Sequence, residues 1–421
     1  MEGTDFNSKS EKEQIEITQA IDDMQSALNT ELDTSVEDSR MYKLSRNCIF
    51  GTDANPRMAR TSKMNMIMHG DGHGGVHHHD GLLNVNGIFE ERFDVILTNP
   101  PFGQNVDRNQ LISEADKFTD DDMKKKYRKK YGKAYDEALR QVDEHIGKSL
   151  LSLYDLGSTS TLTEVLFMER CLRLLKKGGR MGMVLPEGVL NNKNLQSVRE
   201  FFEGRAKLIL ICSIPQDVFI AAGATVKPSL VFMKRFTVEE EIKYAQCKQN
   251  AIDEVTALHQ AELDVLHDTL ARCTGLVDSL KDDLKDARDR LKKAKKSKAN
   301  IIPIDTEIRT IQQEQKINKE NKKDAEKALS ELEKLIAEEI KPVIKQKFDY
   351  DIPISKIDDA GITTTGAVSD GNQLPTLVSE YRNYCIDTKL WNITTDNISY
   401  INKKKGYYRL SENQEVKLNE Q

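Results

Sequence analysis

The chain has 421 residues, 38% of them hydrophobic and 31% charged, which is too long for one ordinary domain and implies that part of it is solvated helix rather than core. Lys and Arg number 62 against 68 for Asp and Glu, and a net charge of −6 argues against holding nucleic acid by bulk charge alone. No run of about 18 apolar residues offers a membrane span.

Residues 1–47 are polar and helix-prone, with Ile15, Ile17, Ile21, Met24 and Leu28 at roughly helical spacing. The N-terminal MEGTDFNSKSEKEQ lacks the apolar core of a signal peptide. Six cysteines are scattered without a Cys-x-x-Cys pair, which argues against a disulfide scaffold or a thiolate zinc site and fits a reducing cytoplasm. From 48 to 236, short apolar runs (48–53, 76–80, 93–98, 180–186, 206–214 and 228–236) alternate with helical patterns over 55–68, over the charged stretch 112–150, and over 162–177, which stops at Gly178-Gly179. Such alternation predicts a doubly wound α/β sheet, and the continuous apolar character of Val95-Ile96-Leu97 suits a strand covered on both faces.

Composition changes after Phe236. Over 237–347 Lys, Glu, Asp, Ala and Leu dominate. From Leu263 to Ala294 apolar side chains recur in unbroken three-four alternation, through Cys273, Val277, Leu280, Leu284 and Ala287, which is the pattern of a coiled-coil seam. Pro303 then predicts a break, and a second stripe runs from Ile304 to Ile336. Two such helices make an antiparallel α-helical coiled-coil hairpin, either a solvated spacer arm or a docking arm for another protein. The segment 348–421 is polar and punctuated by Pro353, Gly361, Gly366, Gly371 and Pro375, and reads as an irregular tail or docking segment.

The chemistry concentrates at Asn99-Pro100-Pro101-Phe102, directly after the strand FDVILT. Ligands of parallel α/β sheets sit at this strand edge. Consecutive prolines stiffen the turn, so the Asn99 amide oxygen and the neighbouring backbone carbonyl are aimed at one point. Two acceptors suit an amino group with two N–H donors, and Phe102 offers a flat face on which a base can stack.

Around these residues the chain resembles the N6-adenine DNA methyltransferases, in particular the modification subunit of type I restriction-modification systems. The resemblance is carried by IFGTDANPRMARTSKMNMIMHGDG, HHHDGLL, the Asn-Pro-Pro-Phe turn, GGRMGMVLPEGVLNN, VREFFEGRAKLILICSIPQDVFIAAGATVKPSLVFMKR and the later YDIPISKIDDAGITTTGAVSDGNQLPTLVSEYRNY. It implies a Rossmann-like, S-adenosylmethionine-dependent methyltransferase sheet over 48–236, with a charged insert at 104–160. It implies that Asp53 accepts hydrogen bonds from the cofactor ribose, the alternative being a helix cap before Ala54-Asn55-Pro56. It implies that Asp80 contacts the cofactor adenine, and that Asn99 with the Pro100 carbonyl holds the target amino group while Pro101 stiffens the turn and Phe102 stacks on the flipped base. Two acceptors on the adenine N6 would raise its electron density for in-line attack on a methyl group carried by a positively charged sulfur, with no metal required. Implied partners are DNA, a specificity subunit and a restriction subunit with nuclease and translocase functions, in a phage-defence setting.

One departure is clear. The family's glycine-rich cofactor turn, after a first strand, should lie upstream of residue 48, but 1–47 contain only Gly3. The first strand, expected at the sheet centre between the second and fourth, is missing, which would leave unpaired backbone groups on both sides of a slot. Either a separate polypeptide supplies that half, or the chain is an inactive, structural member of a restriction or phage-defence complex. Two features stay open. The His-rich segment 69–79 reads as a metal site or as a Gly-rich loop entering a strand, and KKKYRKKYGK at 124–133 reads as a DNA-phosphate track or as a solvated helix.

Overall fold

The computed structural model describes residue 6 and residues 8–69, 75–223, 225–296, 300–388, 409–411 and 414–416. They fall into two units, Met1–Phe236 with Ile352–Gln421, and Thr237–Asp351.

The first unit opens with α1 (Glu11–Leu32), started by a Ser10–Glu13 capping box in which the Glu13 carboxylate accepts from the Ser10 backbone N–H at 2.9 Å. No side chain of α1 is buried, so Ile15, Met24 and Leu28 form an exposed stripe. A short α2 (Arg40–Lys43) leads to β1 (Gly51–Asp53), α3 (Pro56–Met68) and β2 (Val76–His78). Next come β3 (Phe93–Thr98), α4 (Asp121–Tyr131), α5 (Lys133–Asp143), α6 (Thr163–Leu174), β4 (Leu175–Pro186), α7 (Glu187–Asn191), α8 (Gln196–Glu203), β5 (Ala206–Ser213) and β6 (Pro228–Arg235).

The sheet is mixed α/β, and among the described residues it is divided. A two-stranded parallel sheet pairs β1 with β2, and a five-stranded sheet runs β3-β4-β6-β5-β7, where β7 is Ile354–Lys356. β3 is parallel to β4, β6 is antiparallel to both β4 and β5, and β7 is parallel to β5. No ladder among the described residues joins β1 to β3. The main core lies under β4 and β6, where Val165, Met181, Leu185, Val198 and Val231 are almost completely buried.

Several sequence expectations shift. The helix expected over 162–177 ends at Leu174, because Leu175 already pairs with Phe93. Gly178-Gly179 therefore lies inside a bulged strand rather than ending a helix; Gly178 has φ +77° and donates its N–H to the Phe236 carbonyl at 3.2 Å. The runs 48–53 and 76–80 yield only three-residue strands. The charged stretch 112–150 is broken at Gly132, whose φ of +57° separates α4 from α5. The tail is less irregular than expected. It adds β7 to the sheet and then α11 (Leu374–Asp387), and Ile357 and Leu377 pack on Cys212 and Ile214. An antiparallel pair, β8 (Arg409–Ser411) and β9 (Gln414–Val416), comes after it in sequence. Trp391, Tyr407 and Tyr408 lie outside the described residues.

The second unit is a helical hairpin of α9 (Val238–Lys296) and α10 (Ile302–Lys347). The seam read from the sequence faces the partner helix of the same hairpin: Val255 and Leu263 meet Leu332 and Ile336, and Leu284 and Ala287 meet Ile308. His259 Nε2 lies 2.8 Å from Glu339 across the pair. Pro303 is not the break. It sits in the first turn of α10, where its missing N–H costs nothing, and Asn300 and Ile301 before it are already outside any helix. No helix among the described residues is long and apolar enough to cross a membrane.

Candidate functional site

Asp53 and Asp80 close the two strands of the small sheet. Asp53 is the register partner of His78, and its backbone carbonyl accepts the His79 N–H at 3.2 Å, so the chain ends that carry the two carboxylates run side by side. Asp53 is not the helix cap. Its Oδ1 accepts from Asn55 N–H at 2.7 Å, and Asn55 itself caps α3, accepting from Arg57 N–H at 2.9 Å. Asp53 Oδ2 has no hydrogen bond among the described residues. Asp80 Oδ1 accepts from Leu82 N–H at 2.9 Å, which folds the turn after β2.

Asn99-Pro100-Pro101-Phe102 leaves β3 at its C-terminal end. Asn99 and Pro101 are exposed, Pro100 is buried, and Phe102 is half-buried. Pro100 thus anchors the turn while the Asn99 amide stays open to a ligand. The Phe102 ring stands edge-on to Phe219 at 6.1 Å and 80°, leaving a face for a planar group. The tetrapeptide and the Asp53–Asp80 pair are not joined directly; no hydrogen bond between them exists among the described residues.

One helix, α6, connects both parts, and the sequence reading missed the contacts its charged residues make. At its start Glu164 is buried, its Oε1 accepting from the Gly103 N–H at 3.2 Å, just beyond Phe102. Thr163 N–H donates to Gln104 O at 2.9 Å beside it. Two turns on, the buried Arg170 donates to Gly81 O at 3.2 Å, Leu83 O at 2.8 Å and Asn84 Oδ1 at 2.8 Å, fixing the turn beyond Asp80. Its neighbour Glu169, also buried, accepts from Asp155 and Leu156 N–H, both at 2.9 Å. The signal available was Glu169-Arg170 within the largely apolar run Val165–Leu172, since charges that sit among apolar residues and are buried are paired or hydrogen-bonded.

The basic stretch 124–133 is partly neutralised. Arg128 pairs with Asp136 at 2.7 Å and Lys124 with Asp121 at 3.5 Å, while Tyr127 is buried against Tyr135 and Phe89. Arg92 lies 3.8 Å from the Phe50 ring centroid and 4.7 Å from that of Tyr131. In the His-rich segment, His77 is inward-facing, and burial with Lys63 and His79 nearby lowers its pKa to about 4, so it is neutral at ordinary pH. Among the described residues no three His, Cys, Asp or Glu side chains gather at metal distance, and His73 lies outside those residues.

Residues 28–134 match the family model of the N-6 DNA methylases, and the match spans Asp53, Asp80 and the Asn99–Phe102 turn. No curated protein matches the chain. Solved structures similar to this chain include one assigned as a modification subunit of a type I restriction enzyme from Vibrio vulnificus YJ016, 21% identical over 46% of this chain and 34% of that one, with a TM-score of 0.32. Another is a structure of the type I R-M system addressing its complex assembly and conformational transition, at 25% identity over 48% and 33%, TM-score 0.32. A third is the type I restriction enzyme EcoKI M protein, at 18% over 47% and 33%, TM-score 0.30. The chain spans about a third of the length of each of these three structures.

Proposed function

We propose that this chain is the catalytic part of a type I-like DNA adenine N6-methyltransferase in the cytoplasm. The observation that carries the reading is the Asn99–Phe102 turn at the C-terminal end of a parallel strand: an exposed amide after an apolar strand, on a turn anchored by a buried proline, next to a half-open aromatic face. An adenine flipped out of DNA would lay its ring on Phe102. Asn99 Oδ1 and the Pro100 carbonyl would each accept one N–H of its amino group. Accepting both pushes electron density onto N6 and favours its tetrahedral form, so these residues orient and activate the nucleophile without a strong base.

S-adenosylmethionine, when bound, supplies the methyl group on its cationic sulfur. The residues present fit its adenosine end. Asp53, with one carboxylate oxygen uncommitted among the described residues, suits the ribose hydroxyls, and Asp80 lies one strand away for the adenine amino group. Residues 1–47 offer no glycine-rich turn for the methionine end; the proposal includes a further segment that completes this pocket, supplied by a partner, together with a specificity subunit that reads DNA sequence and a restriction subunit. Transfer of radiolabelled methyl groups to DNA by the purified complex, compared with Asn99→Ala, tests the reading. Equal transfer by the variant would sink it.

The divided sheet favours a second reading, in which the chain is a catalytically silent structural subunit of a restriction or phage-defence complex. Absence of transfer by the wild-type complex with its full partner set would select that reading.

A further inference from the structure

We infer that the lysine face of α4, with Arg46 beside it, is a phosphate-contact surface for duplex DNA flanking the target base, separate from the catalytic turn. This rests on DNA being the substrate, as proposed above. Its test reads equilibrium binding by the chain alone, so it can fail while methyl transfer stands, and the reverse.

Three observations carry it. First, the cations share one face and are uncompensated. Lys126, Lys129 and Lys130 stand at i, i+3 and i+4 of α4, and all three are exposed. Their neighbours are neutralised, Lys125 by Asp122 at 3.6 Å and Arg128 by Asp136 at 2.7 Å, but none of these three has an acidic partner among the described residues. Lys130 Nζ also donates to Asn47 Oδ1, which brings the turn Leu44–Cys48 against the helix. Arg46 in that turn is exposed, and its guanidinium meets only the Tyr42 ring, at 5.0 Å, with no carboxylate partner among the described residues. Burial lowers the Lys130 pKa, and the nearby Arg92 and Lys126 charges lower it further, as expected of cations crowded without an anion.

Second, the face is firmly mounted. On the other side of α4, Tyr127 stacks on Tyr131 at 5.9 Å and packs on Tyr135 at 5.7 Å, while Phe89 stands edge-on to Tyr131 at 5.4 Å. The helix backbone is thus held in place, and a ligand has only side chains to order. Third, the patch is far from the catalytic turn. Tyr131 lies 4.7 Å from Arg92, whose guanidinium also covers Phe50 at 3.8 Å, so this end of α4 adjoins the starts of β3 and β1. Asn99 leaves the opposite end of the six-residue β3, about 20 Å away. A ligand on the lysines is therefore not the flipped nucleotide but something beside it.

The side chains select the ligand. Lys125, Lys126, Arg128, Lys129 and Lys130 make up the exposed side of the last two turns of α4, with no apolar residue among them. An acidic protein would be expected to meet an apolar or aromatic centre, since lysine is depleted at the cores of protein interfaces. A phosphate backbone needs only closely spaced cations. Lys126 and Lys130 are about 6 Å apart along the helix axis, and each DNA strand offers a phosphate every 3.4 Å or so along the duplex axis. Such contacts carry no base readout, so binding is independent of sequence. With a net charge of −6 for the whole chain, the local concentration of lysines does the holding rather than overall charge.

The probe is a fluorescein-labelled duplex of arbitrary sequence, titrated with the full chain by fluorescence anisotropy between about 50 and 200 mM potassium chloride. Log affinity should fall linearly with log salt concentration. Lys126→Gln, Lys129→Gln and Lys130→Gln together should reduce that slope by about 2–3 and weaken binding about tenfold or more at the lower salt. Lys316→Gln, Lys319→Gln and Lys323→Gln, at exposed positions of α10, remove as much charge and should change neither. If the first variant loses the near-ultraviolet signal of the tyrosine cluster, Lys126→Gln with Lys129→Gln keeps the Lys130–Asn47 contact and should still reduce the slope by about 2. No salt-dependent binding by the wild-type chain, an unchanged slope in the α4 variants, or an equal loss in the α10 control would overturn the inference. So would labelled polyglutamate binding as tightly as the duplex, which would assign the face to an acidic protein.

Discussion

Replacing Arg170 by alanine tests whether α6 holds the Asp80 turn. The guanidinium is buried and donates to Gly81 O, Leu83 O and Asn84 Oδ1 at 2.8–3.2 Å. Each buried acceptor left unpaired costs about 1–3 kcal/mol, and water entering the vacated space recovers part of that, so a loss of about 3–5 kcal/mol is expected for three acceptors. With a urea slope of about 2–3 kcal/mol/M the unfolding midpoint falls by roughly 1.5 M. Near-ultraviolet circular dichroism is the suitable probe, because Tyr127, Tyr135 and Tyr154 are buried in the first unit and the arm helices dominate the far-ultraviolet signal instead. Arg170→Lys keeps a charge but reaches fewer of the three acceptors, and should fall between wild type and alanine. An alanine variant with an unmoved midpoint would refute the view that this side chain fixes the turn.

Three further outcomes are expected. Phe102→Ala removes the stacking face and should cost about 1–3 kcal/mol in methyl transfer by the reconstituted complex, with cofactor affinity little changed; unchanged transfer would mean that the base lies elsewhere. Calorimetry with S-adenosylmethionine should detect no binding by the chain alone and binding once its partner is added, whereas tight binding alone would show that residues 1–421 complete the pocket themselves. In the arm, Glu339 at 2.8 Å raises the His259 pKa above its ordinary value, so the pair's contribution is fully present below about pH 6.5 and is lost as pH rises through the raised value. The helical melting temperature of the chain should therefore fall between acidic and mildly alkaline pH, and His259→Gln should flatten that dependence; an identical profile for the variant would rule the pair out as its source.

What the sequence made legible was whatever depends on a repeating pattern. The three-four seam from Leu263 to Ala294 is recoverable because a long helix repeats its buried position every turn, and the pairing of Leu284 and Ala287 with Ile308 is a consequence of it. The strand Phe93–Thr98 and its Asn-Pro-Pro-Phe exit were readable because apolar run and turn are adjacent in sequence. Its Val95–Leu97 face was read as covered, however, and is open. Elements set by distant pairing were not readable. β7 is three residues long and exists because Ile354–Lys356 meets Ile211–Ser213 from across the chain. The early start of β4 depends on Phe93 and Phe236, not on local propensity. Glu164 and Arg170 look like solvated charges on a helix until the loops that they bind are placed beside them.

Those two residues also bear on how the two turns are held apart. They are six positions apart on α6, about 9 Å along its axis, and each grips one of the loops proposed to meet substrate or cofactor. The helix is a strut of fixed length between two half-sites that no ladder among the described residues joins. The Asp80 turn and the Asn99–Phe102 turn therefore keep their spacing whether or not anything lies between them, and a ligand that touches both pays little to order them.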